Sequence, residues 1–94
     1  MNEPKFELGR VVMTAAVAEF IADNPNAAEA LNWSIARHHS GDWGCMDEED
    51  KRENDFAVEN GFRIFSAYTV VGSKIWIITE ADRSSTTVLF PEDY

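Results

Sequence analysis

His38 and His39 stand side by side, Asp42 follows closely, and Asp82 lies far along the chain. Imidazoles with carboxylates are the side chains of metal sites and of general acid–base catalysis. Their spacing argues for another role. Neighbouring residues on a helix diverge by about 100°, so adjacent histidines do not aim at one ion. No HExxH and no paired CxxC is present, and no nucleophile stands beside an identifiable base. We therefore expect no metal, no cofactor and no catalytic residue. The histidines read as a helix C-terminus, where cationic imidazole complements the dipole and bonds free carbonyls. The alternative is a small ligand- or metal-dependent enzyme centred on His38, His39, Asp42 and Asp82.

The second chemical feature is charge. Between Asp42 and Gly61 lie eight acids, Asp42, Asp47, Glu48, Glu49, Asp50, Glu53, Asp55 and Glu59, against the bases Lys51 and Arg52. That segment carries −6 of a total of −9. A concentrated negative surface selects a basic partner and repels nucleic acid directly. These eight residues are the candidate partner-binding set. Their carboxylates have two functional readings: an array imitating phosphate spacing, which occupies the basic groove of a nucleic-acid enzyme, or a general face for a basic protein. The third reading is a solvated helix that keeps the chain soluble.

At 94 residues the chain is expected to form one domain, residues 1–94, with residues 1–7 as a polar tail. An apolar share of 45% is enough for one core, and stability of about 5 kcal/mol suits that size. The single cysteine, Cys45, cannot form an internal disulfide, which suits a reducing cytosol. There is no apolar run of signal-peptide length at the start and none near twenty residues anywhere, so the expected setting is cytoplasmic, with no membrane partner.

The elements that position these residues follow from periodicity. Leu8–Met13 is a short β-branched run, a strand. Thr14 caps a helix over Ala15–Ala22, with Val17, Phe20 and Ile21 on one face. Asp23-Asn24-Pro25 ends it. Asn24 or Asn26 caps a second helix with a stripe at Ala27, Leu31, Ile35 and His38 or His39, closed by Gly41. Trp33 lies off that stripe. Asp42-Trp43-Gly44 is a turn with Trp43 plugging the core and Asp42 bonding turn amides; the functional alternative is an indole presented for recognition. Asp47 caps a third helix, Asp50 reaches back to it, and the helix runs to about Asn60. Its apolar content is only Phe56, Ala57 and Val58.

From Phe62 the period becomes two. Strands Phe62–Val71 and Lys74–Glu80 flank a two-residue turn at Gly72-Ser73, which pairs Val70 with Ile75, Tyr68 with Ile77 and Ser66 with Thr79. Asp82 caps the next turn, Arg83 pairs with an acid or reaches the helix near Asp47–Asp55, and Ser85–Phe90 forms a third antiparallel strand ended by Pro91. The expected fold class is α+β: a short N-terminal strand, about three helices, then a C-terminal three-stranded antiparallel meander.

HHSGDWG, the spacing to Asp50 and Asn54, GFRIFSAYTV and IWIITEADRSSTTVLFPEDY together resemble a family of small proteins encoded on plasmids, integrated elements and phages. Its members are called plasmid-related proteins and are sometimes labelled restriction-modification accessory subunits. The resemblance implies a bacterial cytosolic protein carried on mobile DNA, and it carries over no functional residues. The expected function is non-enzymatic. An acidic mobile-element protein binds a basic protein surface and modulates or inhibits a host nucleic-acid-handling or defence system, in the manner of a DNA mimic. The alternative is a structural or regulatory homo-oligomer.

Overall fold

The computed structural model describes residues 3–94. Met1 and Asn2, the start of the expected tail, lie outside the described residues. In chain order the elements are β1 (Arg10–Met13), α1 (Ala15–Asp23), α2 (Ala27–His39), α3 (Glu48–Asn60), β2 (Ile64–Val70), β3 (Ser73–Thr79) and β4 (Ser85–Leu89), followed by a 3-10 turn over Pro91–Asp93. The class is α+β, and β2, β3 and β4 form an antiparallel meander.

The sheet as a whole is not purely antiparallel, and here the expectation is corrected. β1 joins it as a fourth strand, parallel to β4, in the order β1-β4-β3-β2. Arg10 pairs with Ser85 and Met13 with Val88. Local pattern identifies β1 as a strand but carries no information on a partner some seventy residues away. The hairpin register is corrected as well. Val70 pairs with Ser73, Tyr68 with Ile75 and Ser66 with Ile77, a shift of two residues from the expected pairing. The turn residues are Val71 and Gly72, with φ of 47° and 77°. Positive φ at both central positions matches the twist of a two-residue hairpin, so the turn centres one residue earlier than Gly72-Ser73. A shift of two leaves every side chain on its expected face.

One sheet face carries Tyr68, Val70, Ile75, Ile77 and Val88, which pack with Val17 of α1 and Ala27 and Leu31 of α2. Thr14 caps α1 by accepting from the Val17 amide, as expected. α2 starts at Ala27, and Asn26 occupies the cap position without a side-chain bond. The opposite sheet face is closed by aromatic side chains of the chain itself: Phe65 meets Trp76 edge-on, and Trp76 meets Tyr94.

α3 lies outside the β2 edge and holds on at few points. Only Asn54 and Ala57 of its thirteen residues are buried. The Asn54 side chain donates to the Phe65 carbonyl at 2.5 Å and accepts from the Phe65 amide at 3.1 Å, replacing a neighbouring strand at that position. Trp43 and Cys45 do the same one step along: the Ala67 amide donates to the Trp43 carbonyl and the Cys45 amide to the Ala67 carbonyl. Gly44 sits between them with φ of 74°, and a Cβ there would lie 2.1 Å from the Ala67 carbonyl oxygen, so only glycine permits this approach. The tail is tied down from Lys5 onward. The Lys5 amide donates to the His39 carbonyl, and Phe6 packs against Trp43.

Removing the Asn54 amide strips both backbone groups of Phe65 of their partners. Asn54→Ala is expected to destabilise the fold by about 2 kcal/mol. Urea denaturation checks the magnitude. Amide exchange at Phe65 checks the cause and should accelerate more than exchange at Tyr68.

Candidate functional site

His38 is the best-buried titratable group, with 0% of its surface exposed. It faces the sheet from the last turn of α2, three residues beyond Ile35 on the stripe that carries Leu31. Nδ1 meets the Ser66 hydroxyl of β2 in a short contact, and Nε2 meets the Thr79 hydroxyl of β3 at 2.9 Å. Thr79 meets Thr86 of β4 at 2.7 Å, and Thr86 donates to the Leu8 carbonyl at 2.7 Å. Counting protons fixes the direction. Thr86 spends its only proton on Leu8, so Thr79 donates to Thr86 and His38 donates through Nε2–H to Thr79. Burial favours the neutral ring, whose Nδ1 then accepts from the Ser66 hydroxyl. Burial holds its pKa down at about 3, against an ordinary 6.5, and the neighbouring His39 adds a smaller push in the same direction. The cationic reading of His38 is overturned: with none of its surface exposed, burial disfavours the charged ring.

Ser66 beside His38 has the chemical form of a nucleophile and its base. Both are fully buried, as are Thr79 and Thr86, so no substrate reaches the pair. The arrangement is a bolt through the core. The residues of the alternative enzyme reading do not assemble around it. Asp42 accepts from Arg37 Nε at 2.8 Å and from the Gly44 amide, a pairing that holds its carboxyl below the usual range. Asp82 accepts from the Ser84 amide within the β3–β4 turn. Among the described residues no group of three or more His, Cys, Asp or Glu side chains converges to hold a metal ion.

The acidic residues divide into those the fold uses and those it leaves free. Asp42 is committed to Arg37. Asp47 caps α3 by accepting from the Asp50 amide, but the expected return bond from Asp50 is not formed. Asp55 accepts from the Trp43 indole at 3.0 Å, which fixes the core plug that the turn was expected to supply. Glu48 pairs loosely with Lys51 at 3.7 Å, both exposed. Glu59 lies on the flank of α3 beside Lys5 and Asp55. Glu49, Asp50 and Glu53 face the other way.

Those three carboxylates line one wall of an open groove of about 760 Å³ between α3 and the start of β2. Phe56, Phe62 and Phe65 give it an aromatic surface, and Arg52 and Arg63 mark its sides. Phe56 and Phe62 stack on each other at 5.8 Å and stay 59% and 54% exposed. Exposed stacked phenylalanines on so small a protein leave apolar area that ordinary surface composition does not explain. Arg83 ties the two sides of the Gly61 stop together by donating to the carbonyls of Phe62 and Ala57. Arg83 thus reaches the C-terminal end of α3 rather than the carboxylates near Asp47–Asp55. It supplies the cation that the last turn of α3 lacks.

Sequence reasoning identified the acids but not the aromatic wall that selects three of them. The available signal was the pair Phe56 and Phe62, two large apolar residues bracketing the Gly61 stop of an otherwise polar helix. Compared with known protein families, with curated proteins and with solved structures, the chain has no match.

The buried imidazole makes stability depend on pH with a definite sign. In the folded chain His38 stays neutral down to about pH 3, whereas unfolded it takes a proton near 6.5. Its contribution is complete above pH 6.5 and is lost as pH falls toward 3. Between pH 7 and pH 5 the loss is expected to be about 2 kcal/mol. Urea midpoints at the two values measure it, and His38→Leu should flatten the dependence even if it lowers the midpoint at pH 7.

Proposed function

We propose that the protein acts by binding another protein, and that the groove between α3 and β2 takes a basic, partly apolar segment of that partner. The observation that carries this reading is the juxtaposition of Glu49, Asp50 and Glu53 with the exposed stack of Phe56 and Phe62. An arginine or lysine lying along such a wall gains a carboxylate at its head and an aromatic face along its stem. Carboxylates alone would suit phosphate mimicry. Carboxylates beside phenylalanines suit a polypeptide segment that sets basic and apolar side chains close together.

The wider role follows from the kind of partner that carries such segments. Nucleic-acid-handling proteins present Arg- and Lys-rich surfaces, and a net charge of −9 steers this chain toward them while repelling nucleic acid itself. With the resemblance to mobile-element proteins, that supports a modulator or inhibitor of a host nucleic-acid-handling or defence system. The reading is non-enzymatic, with Glu49, Asp50 and Glu53 as primary contacts and Glu48 and Glu59 adding to the field.

The test separates charge from the aromatic wall. A chain carrying Glu49→Gln and Glu53→Gln, and another carrying Phe56→Ala and Phe62→Ala, are compared with the wild type in titrations against an Arg- and Lys-rich amphipathic peptide. They are also compared in capture from host lysate. All four side chains project from the fold, so both variants should stay folded. The phenylalanine pair is expected to weaken binding by about 30-fold, consistent with roughly 2 kcal/mol for a hot-spot aromatic. The glutamine pair should weaken it and reduce its salt dependence. Equal binding by all three chains would end the groove reading.

A further inference from the structure

The two edges of the sheet are treated differently. The β2 edge is closed by Asn54 and by the Trp43–Cys45 segment. The β1 edge has no neighbour among the described residues. β1 is exposed along its whole length, with Val11 at 42%, Val12 at 38% and Met13 at 42%. A short strand with partly exposed apolar side chains and one edge without a neighbour is a template for pairing. It carries no lysine or proline, and its one charged residue, Arg10, stands at its first position.

We propose that the chain pairs with a second copy of itself through β1, antiparallel about a two-fold axis at Val12. The backbone sets that register. The Arg10 amide donates to the Ser84 carbonyl and the Thr14 amide to the Val88 carbonyl, so both residues turn their backbone groups toward β4. By the alternation of a strand Val12 does the same, and Val11 and Met13 turn theirs outward. A two-fold axis at Val12 sets Val11 of one copy against Met13 of the other, twice over, and each such pair exchanges two hydrogen bonds. Val12 then meets its own counterpart side by side across the axis.

Charge fits the same register. Arg10 comes to lie opposite Thr14 of the second copy. The Thr14 hydroxyl holds the Asp93 carboxylate at 2.8 Å. Arg10 forms no ion pair within its own chain among the described residues, and here it reaches an acid on the other chain at each end of the interface. The acidic helices are no obstacle. α3 lies beyond β2, at the far edge, so pairing through β1 sets the two helices roughly 30 Å or more apart across an eight-stranded sheet. That is several Debye lengths at physiological salt, about 8 Å each.

Light scattering across a concentration series is expected to show the apparent mass rising toward double the monomer value. Four short-strand hydrogen bonds and a few apolar contacts suit a dissociation constant in the micromolar range, about 1–100 μM. Val12→Lys places two ammonium groups against each other at the axis and should weaken the dimer at least tenfold; circular dichroism verifies that this exposed position leaves the fold intact. In a Cys45→Ser background, Val12→Cys should oxidise to a covalent dimer while Lys74→Cys, on exposed β3 surface, should not. A chain that stays monomeric through the millimolar range overturns the proposal. So does a dimer that Val12→Lys leaves unchanged or that Val12→Cys fails to cross-link.

Discussion

The run of hydrogen bonds from Ser66 through His38, Thr79 and Thr86 to the Leu8 carbonyl is the constraint on which the remaining structure depends. It crosses α2, three strands and the segment leading into β1. Thr79 and Thr86 have one proton each, so the run from His38 to Leu8 has one direction, and burial keeps the imidazole at its head neutral. Removing any member leaves a buried donor or acceptor without a partner, at about 1–3 kcal/mol each. The apolar core packs α1 and α2 onto the sheet but would tolerate sliding. The polar run does not, because a displaced His38 loses two partners at once. Among the described residues no buried side-chain nitrogen or oxygen lacks a partner, which shows how closely the core is matched to this one arrangement.

With α2 fixed by His38, the turn that follows is fixed too. Tyr68 donates to the Asp42 carbonyl at 2.5 Å, and Arg37 lies over the Tyr68 ring while holding the Asp42 carboxylate. That places Gly44 against Ala67 and Trp43 above Ile64, and the Trp43 indole then sets Asp55 and the start of α3. The groove wall is therefore the last member of a series that begins in the core. Its carboxylates are positioned by backbone and indole contacts rather than by a hydrophobic face of α3, which has almost none.

Much of this was legible in the sequence. Caps at Thr14 and Asp47, stops near Asn24 and at Gly61, the indole plug and the meander all follow from local rules, because each involves residues a few positions apart. The register error at Val71 has an equally local cause: a β-branched residue is the last one expected at positive φ, and the pairing of two strands outweighed that preference. What could not be read was long-range. Nothing near Arg10 announces Ser85 as a partner. Nothing near His38 announces Thr79, although two hydroxyls on the inward face of a buried hairpin and a histidine on an apolar stripe were visible separately. The same holds for the site. The eight acids were plain, but three of them serve the fold, and only the position of Phe62 beyond Gly61 separates the rest into a groove wall and an outer flank.

The distribution of charge gives the acidic helix a further consequence. α3 concentrates like charges on an element with two buried residues, held by Asn54, Asp55 and the Arg83 contact to its C-terminal carbonyls. Self-repulsion there lowers stability, and a helix packed so lightly has little to set against it. A solubilising surface gains nothing from gathering its charge in this way, since the same residues spread over the sheet and α1 would repel less. On the proposed reading the concentration has a use. A cationic segment entering the groove relieves repulsion among Glu49, Asp50 and Glu53 as it forms its own contacts, so part of its affinity comes from strain already present in the free protein. The helix is then weakly anchored for the same reason that it is acidic.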